Sequence, residues 1–165
     1  MGYYLAEQKI FDDVSKETGT NGKLHPLTYI LEAADDLAYK TADIEDAFAK
    51  GYISYPMLES ELKKLKKQCP DAVFDGLEKL QSLYTGGKEK GVRNPESYAL
   101  KNWIVRVQGF LINCATFGFT SNYEAIMSGT YKKDLFYGTF GEQLMDLLGR
   151  MAYENVFCSR DIYRM

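Results

Sequence analysis

Apolar residues recur at three- and four-residue intervals along almost the whole chain, which is the period of an α-helix rather than of a β-strand. The first such segment carries Leu5, Ile10, Phe11 and Val14 near one side and stops at Gly19. Further helices are predicted over residues 26–50, 54–68, 71–84, 96–117, 122–127 and 141–157. The pattern therefore predicts an all-α protein built as a multi-helix bundle.

The length of 165 residues is typical of one domain, so we expect residues 1–165 to form a single all-helical unit. The clearest interruption is the stretch TGGKEKGVRNPES, which is rich in Gly and Lys and predicts a loop at about residues 85–95. Pro26 suits the first turn of a helix, and Gly51 is a typical residue just past a helix end.

Charge and composition narrow the possible partners. The formal net charge of −3 gives no duplex nucleic-acid signal, since proteins that bind phosphate backbones usually carry a basic excess. No apolar run approaches the roughly 20 residues that span a bilayer, and the opening residues lack a signal-peptide pattern. We therefore expect a cytoplasmic protein with no membrane association.

Cysteine and histidine are too sparse for a self-contained metal site of the common kinds. Cys69, Cys114 and Cys158 are widely spaced and form no CxxC pair, which indicates neither a zinc site nor a disulfide framework. His25 is the only histidine in the sequence. The chain cannot build a multi-histidine metal site alone.

The stretch HPLTYILEAADDLAYKTADIEDA, residues 25–47, is the most informative in the sequence. At about 100° per residue, Asp35, Tyr39 and Asp43 rise along one stripe of the predicted helix. Beside that stripe lies an apolar margin formed by Leu31, Ala34, Ala38 and Ala42. A second apolar margin, formed by Ile30, Leu37 and Ile44, lies roughly opposite. Two apolar margins predict a helix buried on two sides, with the alanines allowing a neighbouring helix to approach closely.

Periodicity alone leaves the role of these polar residues open. Asp35 is either a solvated acid or a carboxylate that pairs with a metal ion or an arginine, because a buried aspartate needs such a partner. Tyr39 is a core aromatic residue with a satisfied hydroxyl, or it lines a pocket. Arg106 is a surface ion-pairing residue, or its guanidinium fork binds phosphate oxygens.

The same stretch closely resembles the segment that carries the last metal-binding aspartate of the deoxyguanosinetriphosphate triphosphohydrolases, a family of the HD superfamily. Three further stretches are similar to that family as well. They are the preceding GYYLAEQKIFDDVSKETG and the later SYALKNWIVRVQGFLINCATFGFTSNYEAIMSGTY and ENVFCSRDIYRM. The resemblance is strongest around Asp35 and looser over residues 54–93. It implies that residues 1–50 are the end of an HD-type metal-binding core and that residues 54–165 are a C-terminal helical region.

The resemblance also implies a chemistry. Members of the family cleave a deoxynucleoside triphosphate to the deoxynucleoside and triphosphate, using a divalent metal such as Mg²⁺ or Mn²⁺. Asp35, within ADDLAY, matches the last metal-binding aspartate, and Tyr39 and Asp43 match residues that line the pocket for sugar and phosphates. Arg106, within VRVQ, matches a basic residue of the C-terminal helices that meets the triphosphate.

One departure from the family limits what this chain can do. The family's other metal ligands, a histidine and a His-Asp pair, have no counterpart here, and His25 belongs to the run leading into the Asp35 helix. We therefore expect the C-terminal portion of a dGTPase, inactive alone, with apolar surface that favours a homo-oligomer. The alternative is a non-catalytic helical module that binds nucleotide or a partner protein.

Overall fold

A computed structural model describes residues 4–70 and 72–158, and within these ranges the chain is helical with no β-strand. A 3₁₀ turn at Leu5–Glu7 precedes α1, and a π-helical turn at Tyr153–Phe157 follows α7. The seven α-helices are α1 (Gln8–Glu17), α2 (Pro26–Ala49), α3 (Tyr55–Gln68), α4 (Gly76–Glu89), α5 (Pro95–Ser121), α6 (Tyr123–Met127) and α7 (Phe140–Ala152). This confirms the predicted all-α bundle.

Helices α2, α5 and α7 enclose the centre of the core, and α4 packs along α5. Trp103 is fully buried, and its Nε1 donates a hydrogen bond to the carbonyl oxygen of Gly76 at 2.8 Å, which ties α5 to the first turn of α4. Ile44, Leu111 and Leu148 are fully buried as well. Each such aliphatic side chain stabilises the fold by about 1.5–3 kcal/mol through its removal from water.

The ends of the two longest helices follow from local sequence. Pro26 and Pro95 open α2 and α5, where a missing N–H costs no helical hydrogen bond. The Leu27 N–H donates to Nδ1 of His25, and the Ser97 N–H donates to the side-chain oxygen of Asn94, so each helix has a side-chain cap. Beyond α2, Gly51 adopts φ +79°, the left-handed conformation that glycine accepts without strain.

The loop predicted at about residues 85–95 is shorter than the composition indicated. Helix α4 continues to Glu89, so only residues 90–94 connect it to α5. Gly87 is buried inside α4, and a Cβ at this position would lie 3.0 Å from Cδ1 of Tyr98. This glycine permits close contact with the start of α5, whereas Gly91, at φ +67°, is the glycine that makes the turn.

The prediction that α2 is buried on two sides is wrong for the described chain. Leu37 and Ile44 lie in the core, but Leu31 is 56% exposed and Ala34, Ala38 and Ala42 face solvent. Helices α5 and α7 contact α2 along its buried residues, and no described helix covers Leu31, Ala38 and Ala42, which remain exposed. In addition, none of the described helices combines the length and apolar character needed to cross a bilayer.

Candidate functional site

Asp35, Tyr39 and Asp43 lie together on the outer face of α2, as their four-residue spacing predicts. Asp35 is exposed, Tyr39 is 69% exposed and Asp43 is half-buried. None of the three side chains makes a hydrogen bond or ion pair with another residue in the described ranges. The stripe is therefore an accessible row of two carboxylates and a phenol on a rigid helix.

An acidic cleft of about 340 Å³ borders this stripe on the side that faces the α6–α7 connection. Its walls are Tyr29, Glu32, Ala33, Asp35, Asp36, Asp134, Leu135 and Phe136. Asp134 is committed to its own turn, since its Oδ1 accepts from the N–H groups of Phe136 at 2.7 Å and Tyr137 at 2.9 Å. Oδ2 of Asp134 accepts no hydrogen bond from a described residue, so it remains available in the cleft together with the carboxylates on α2.

The tyrosine at the base of the cleft holds the α6–α7 connection against α2. The Tyr29 hydroxyl donates to the carbonyl oxygen of Tyr131 at 2.8 Å, and the two rings pack with their centroids 5.7 Å apart. Burial, together with the nearby charge of Glu32, raises the pKa of Tyr29 above its usual range. The phenol therefore stays protonated at neutral pH and acts as a structural donor.

The described residues do not form a metal-binding set by themselves. Across residues 4–70 and 72–158, no three His, Cys, Asp or Glu side chains are grouped so that they could hold one ion. His25 caps α2 through Nδ1, and ten residues of helix place it about 15 Å along the axis from Asp35. Asp35 thus offers one hard oxygen ligand of the several that Mg²⁺ or Mn²⁺ requires.

Arg106 lies apart from the other three residues that the sequence singled out. It is exposed on α5 and makes no hydrogen bond or ion pair within the described chain. Gln108 contacts α2 through Thr41, and a two-residue offset turns Arg106 about 200° away from that contact. The structure thus gathers Asp35, Tyr39 and Asp43 on one helix face and leaves Arg106 on another surface.

Sequence reasoning missed an apolar groove between α2 and α5, which adjoins the acidic cleft at Ala33 and Leu135. It has a volume of about 300 Å³, and its walls include Ile30, Ala34, Ile112, Phe119 and Leu135. The spacing of Ile112 and Phe119 on α5 carried the signal, since these residues lie outside the stripe through Trp103, Val107 and Leu111 that forms the core.

Comparison with known proteins confirms the family resemblance. The chain is 30% identical over 98% of its length to a deoxyguanosinetriphosphate triphosphohydrolase-like protein of Listeria monocytogenes, and it covers 34% of that relative. It is 31% identical over 98% of its length to a probable deoxyguanosinetriphosphate triphosphohydrolase of Pseudomonas aeruginosa, again covering 34%. A deoxyguanosinetriphosphate triphosphohydrolase of Yersinia pestis is 30% identical over 94% of the chain, which covers 31% of that relative.

The chain thus spans about a third of the length of the curated relatives it matches. No protein-family model matches it. Its relation to proteins named dGTP triphosphohydrolase is established along nearly all of its own residues, whereas two thirds of each relative has no counterpart in it.

Proposed function

We propose that this chain supplies one wall of the active site of a metal-dependent deoxynucleoside triphosphate triphosphohydrolase, which cleaves dGTP to deoxyguanosine and triphosphate. The observation that carries the proposal is the unpartnered Asp35 stripe on α2 in a chain related over 98% of its length to proteins named for that reaction. The stripe presents oxygen ligands and a phenol to solvent, which is the arrangement a substrate and its metal need.

In this proposal Asp35 is one carboxylate ligand of a divalent metal, Mg²⁺ or Mn²⁺. A divalent metal held there would supply polarisation of a phosphoryl oxygen and activation of water. The other ligands come from outside the chain, because its single histidine caps α2. We therefore propose that the chain alone is inactive.

Tyr39 and Asp43 bind the nucleotide in the same proposal. The Tyr39 hydroxyl donates to and accepts from a sugar hydroxyl or a phosphate oxygen, and the Asp43 carboxylate accepts from a sugar hydroxyl. Arg106 offers a planar fork that matches phosphate oxygens, but it lies on a different surface from the stripe.

A homo-oligomer in the cytoplasm is part of the proposal. Leu5, Ile10 and Val14, in and just before α1, are all more than half exposed and give a second copy an apolar surface to cover.

The test compares the isolated chain with a chimera. The chimera is the Listeria monocytogenes relative with its aligned third replaced by this chain. We expect no triphosphate release from dGTP by the purified chain with Mg²⁺ or Mn²⁺, and release by the chimera. Hydrolysis by the pure chain would refute its inactivity, and a folded chimera without hydrolysis would refute the proposed function.

One observation favours a second candidate, a non-catalytic helical module that binds a nucleotide or a partner. Helices α2 and α5 expose apolar side chains that a partner could cover. Genomic DNA distinguishes the two candidates. An open reading frame that continues upstream of Met1 into a His-Asp motif excludes the module, and a stop codon directly upstream favours it.

A further inference from the structure

We propose that Asn21 is a site of spontaneous covalent modification, at which its side-chain amide is converted to an aspartyl or isoaspartyl residue, and that Ser15 restrains this reaction in the folded chain. Ser15 lies near the end of α1, and Asn21 lies in the connection from α1 to α2, residues 18–25. The inference is independent of dGTP hydrolysis, and its test does not measure that activity.

The reaction requires an asparagine whose side-chain carbonyl carbon is reached by the next backbone nitrogen. The Gly22 nitrogen forms a bond to Cγ of Asn21, and the side-chain nitrogen leaves as ammonia with the proton that Gly22 gives up. Water then opens the cyclic imide at either of its two carbonyl groups. One opening gives aspartate, and the other gives isoaspartate, in which the main chain passes through Cβ.

The residue that follows Asn21 is the one that obstructs this attack least. Asn21 is the only asparagine in the sequence that precedes a glycine. A glycine has no Cβ and reaches backbone conformations that other residues resist. Gly22 lies at φ +78°, and a Cβ at this position would meet no atom within 4 Å. The surroundings of Gly22 therefore leave the bond-forming step open.

Asn21 itself is exposed and lies in an uncommon backbone conformation. It is the only described residue other than glycine with a positive φ, which is +50°. Asparagine tolerates this left-handed region better than most residues do. Its Nδ2 donates to the carbonyl oxygen of Gly19 at 3.2 Å, within the same exposed turn. No buried contact therefore keeps water away from the Asn21 amide.

The connection is folded around Ser15, which is the only buried residue of α1. The Ser15 Oγ accepts a hydrogen bond from the Gly22 N–H at 2.6 Å. Its carbonyl oxygen accepts from the N–H groups of Thr20 at 3.0 Å and Asn21 at 3.3 Å. The N–H group that must lose its proton in the reaction is thus the one that the Ser15 hydroxyl binds.

This hydrogen bond makes the reaction depend on opening of the connection. A hydrogen-bonded backbone N–H gives up its proton to solvent base only after the bond opens, as in amide hydrogen exchange. The folded chain is therefore modified through a minor open state. An isoaspartate at position 21 lengthens the main chain before Gly22, so the three hydrogen bonds to Ser15 cannot all form again in their present geometry.

Peptide mass spectrometry of the chain incubated in mildly alkaline buffer tests the site. Trypsin releases residues 17–23 as one peptide, because Lys16 and Lys23 flank the connection. The mass gain from amide to acid reports the modification, and methylation by a protein isoaspartate methyltransferase reports the isoaspartyl product. We expect Asn21 to be modified in the folded chain, and at least about threefold faster in urea, the factor that the net loss of one hydrogen bond gives.

Two variants test the role of Ser15. Ser15→Ala removes the acceptor of the Gly22 N–H. Thr18→Val is the matched control, because the Thr18 hydroxyl donates to the carbonyl oxygen of Val14 at 2.8 Å and does not contact Gly22. We expect Asn21 in the folded Ser15→Ala chain to be modified at least about threefold faster than in the parent chain, the Thr18→Val chain to match the parent, and all three to react alike in urea.

Each part of the proposal has an outcome that overturns it. An Asn21 amide that survives in urea while other asparagines of the same sample are converted overturns the modification site. Equal rates in the folded Ser15→Ala and parent chains overturn the role of Ser15. Circular dichroism verifies that each variant is folded. If Ser15→Ala does not fold, the parent chain decides, since equal rates in native buffer and in urea also overturn that role.

Discussion

Gln108 donates a hydrogen bond from Nε2 to the Oγ1 of Thr41 at 3.0 Å, inside the contact between α5 and α2. Thr41 is 2% exposed, and its hydroxyl in turn donates to the carbonyl oxygen of Leu37 at 2.9 Å. Together with the contact between Lys101 and Glu45, this bond shows that the two helices run antiparallel. It fixes the register that sets Ile30 and Ala34 of α2 opposite Ile112 of α5 across the groove.

Replacing Thr41 by valine keeps the volume but removes the acceptor for Gln108. We expect the free energy of unfolding in urea to fall by about 0.5–1.5 kcal/mol, because the half-buried amide group of Gln108 loses its hydrogen-bond partner. Thr116→Val is the control, since that exposed hydroxyl bonds only to its own helix, and its effect should stay within about 0.5 kcal/mol. Equal losses of unfolding free energy in the two variants would show that the hydrogen bond between Gln108 and Thr41 contributes nothing to stability.

Two glycines of α5 should respond in opposite ways to the same substitution. A Cβ at Gly118 would lie 2.0 Å from the carbonyl oxygen of Leu135, so Gly118→Ala must displace the connection that forms one wall of the acidic cleft. We expect a loss of about 1–3 kcal/mol in the free energy of unfolding, which is typical of overpacking. Gly109→Ala meets nothing within 4 Å and should stabilise the helix by up to about 1 kcal/mol. Thermal unfolding of both variants checks the prediction, and stabilisation by Gly118→Ala would contradict it.

The sequence predicted the helices well because each has a strong apolar period of its own. The period placed Asp35, Tyr39 and Asp43 on one face of α2, and the structure retains that arrangement. Their assignment to metal and nucleotide stays a prediction, since it derives from the family resemblance.

What the sequence could not provide is the identity of each helix's neighbours. A helical-wheel projection shows that the margin through Ala34 and Ala38 can be buried. It does not show whether the helix that packs on this margin belongs to the same chain. Composition gave a different wrong prediction at Gly87. This glycine was predicted to lie in a loop, but it lies inside α4 and allows close packing against Tyr98. Both errors concern tertiary contacts, which local pattern does not encode.

The ion pair between Arg150 and Glu61 should make stability depend on pH. Hydrogen bonds from Lys64 and from Arg150, the latter at 2.8 Å, hold the pKa of Glu61 below its usual range. A group whose pKa is lowered in the folded state stabilises it above the unfolded pKa, and this contribution is lost as pH falls through the folded pKa. We expect Glu61→Gln to be less stable than the parent chain at pH 7 and the difference to shrink below about pH 4.

Urea unfolding at both pH values measures this difference. Asp46→Asn is the control, because Asp46 pairs with Lys50 on an exposed turn and such pairs contribute little at any pH. A difference between Glu61→Gln and the parent that is constant from pH 7 to pH 3 would show that packing of the side chain, rather than its charge, is responsible.

Asp35 is the residue on which the proposed reaction depends most. In the Listeria chimera, Asp35→Asn replaces an anionic oxygen ligand by a neutral amide while keeping the side chain's size, so we expect triphosphate release from dGTP to fall at least about 100-fold. The loss should be partly recovered at high Mn²⁺ concentration if weakened metal binding is the cause.

Asp36→Asn is the matched control, because it removes the same charge one residue away and 100° around the helix. It should retain activity within about threefold, an effect of less than 1 kcal/mol on the barrier. An equal loss in both variants would attribute the effect to the acidic surface as a whole, and full activity of Asp35→Asn would remove Asp35 from the metal site.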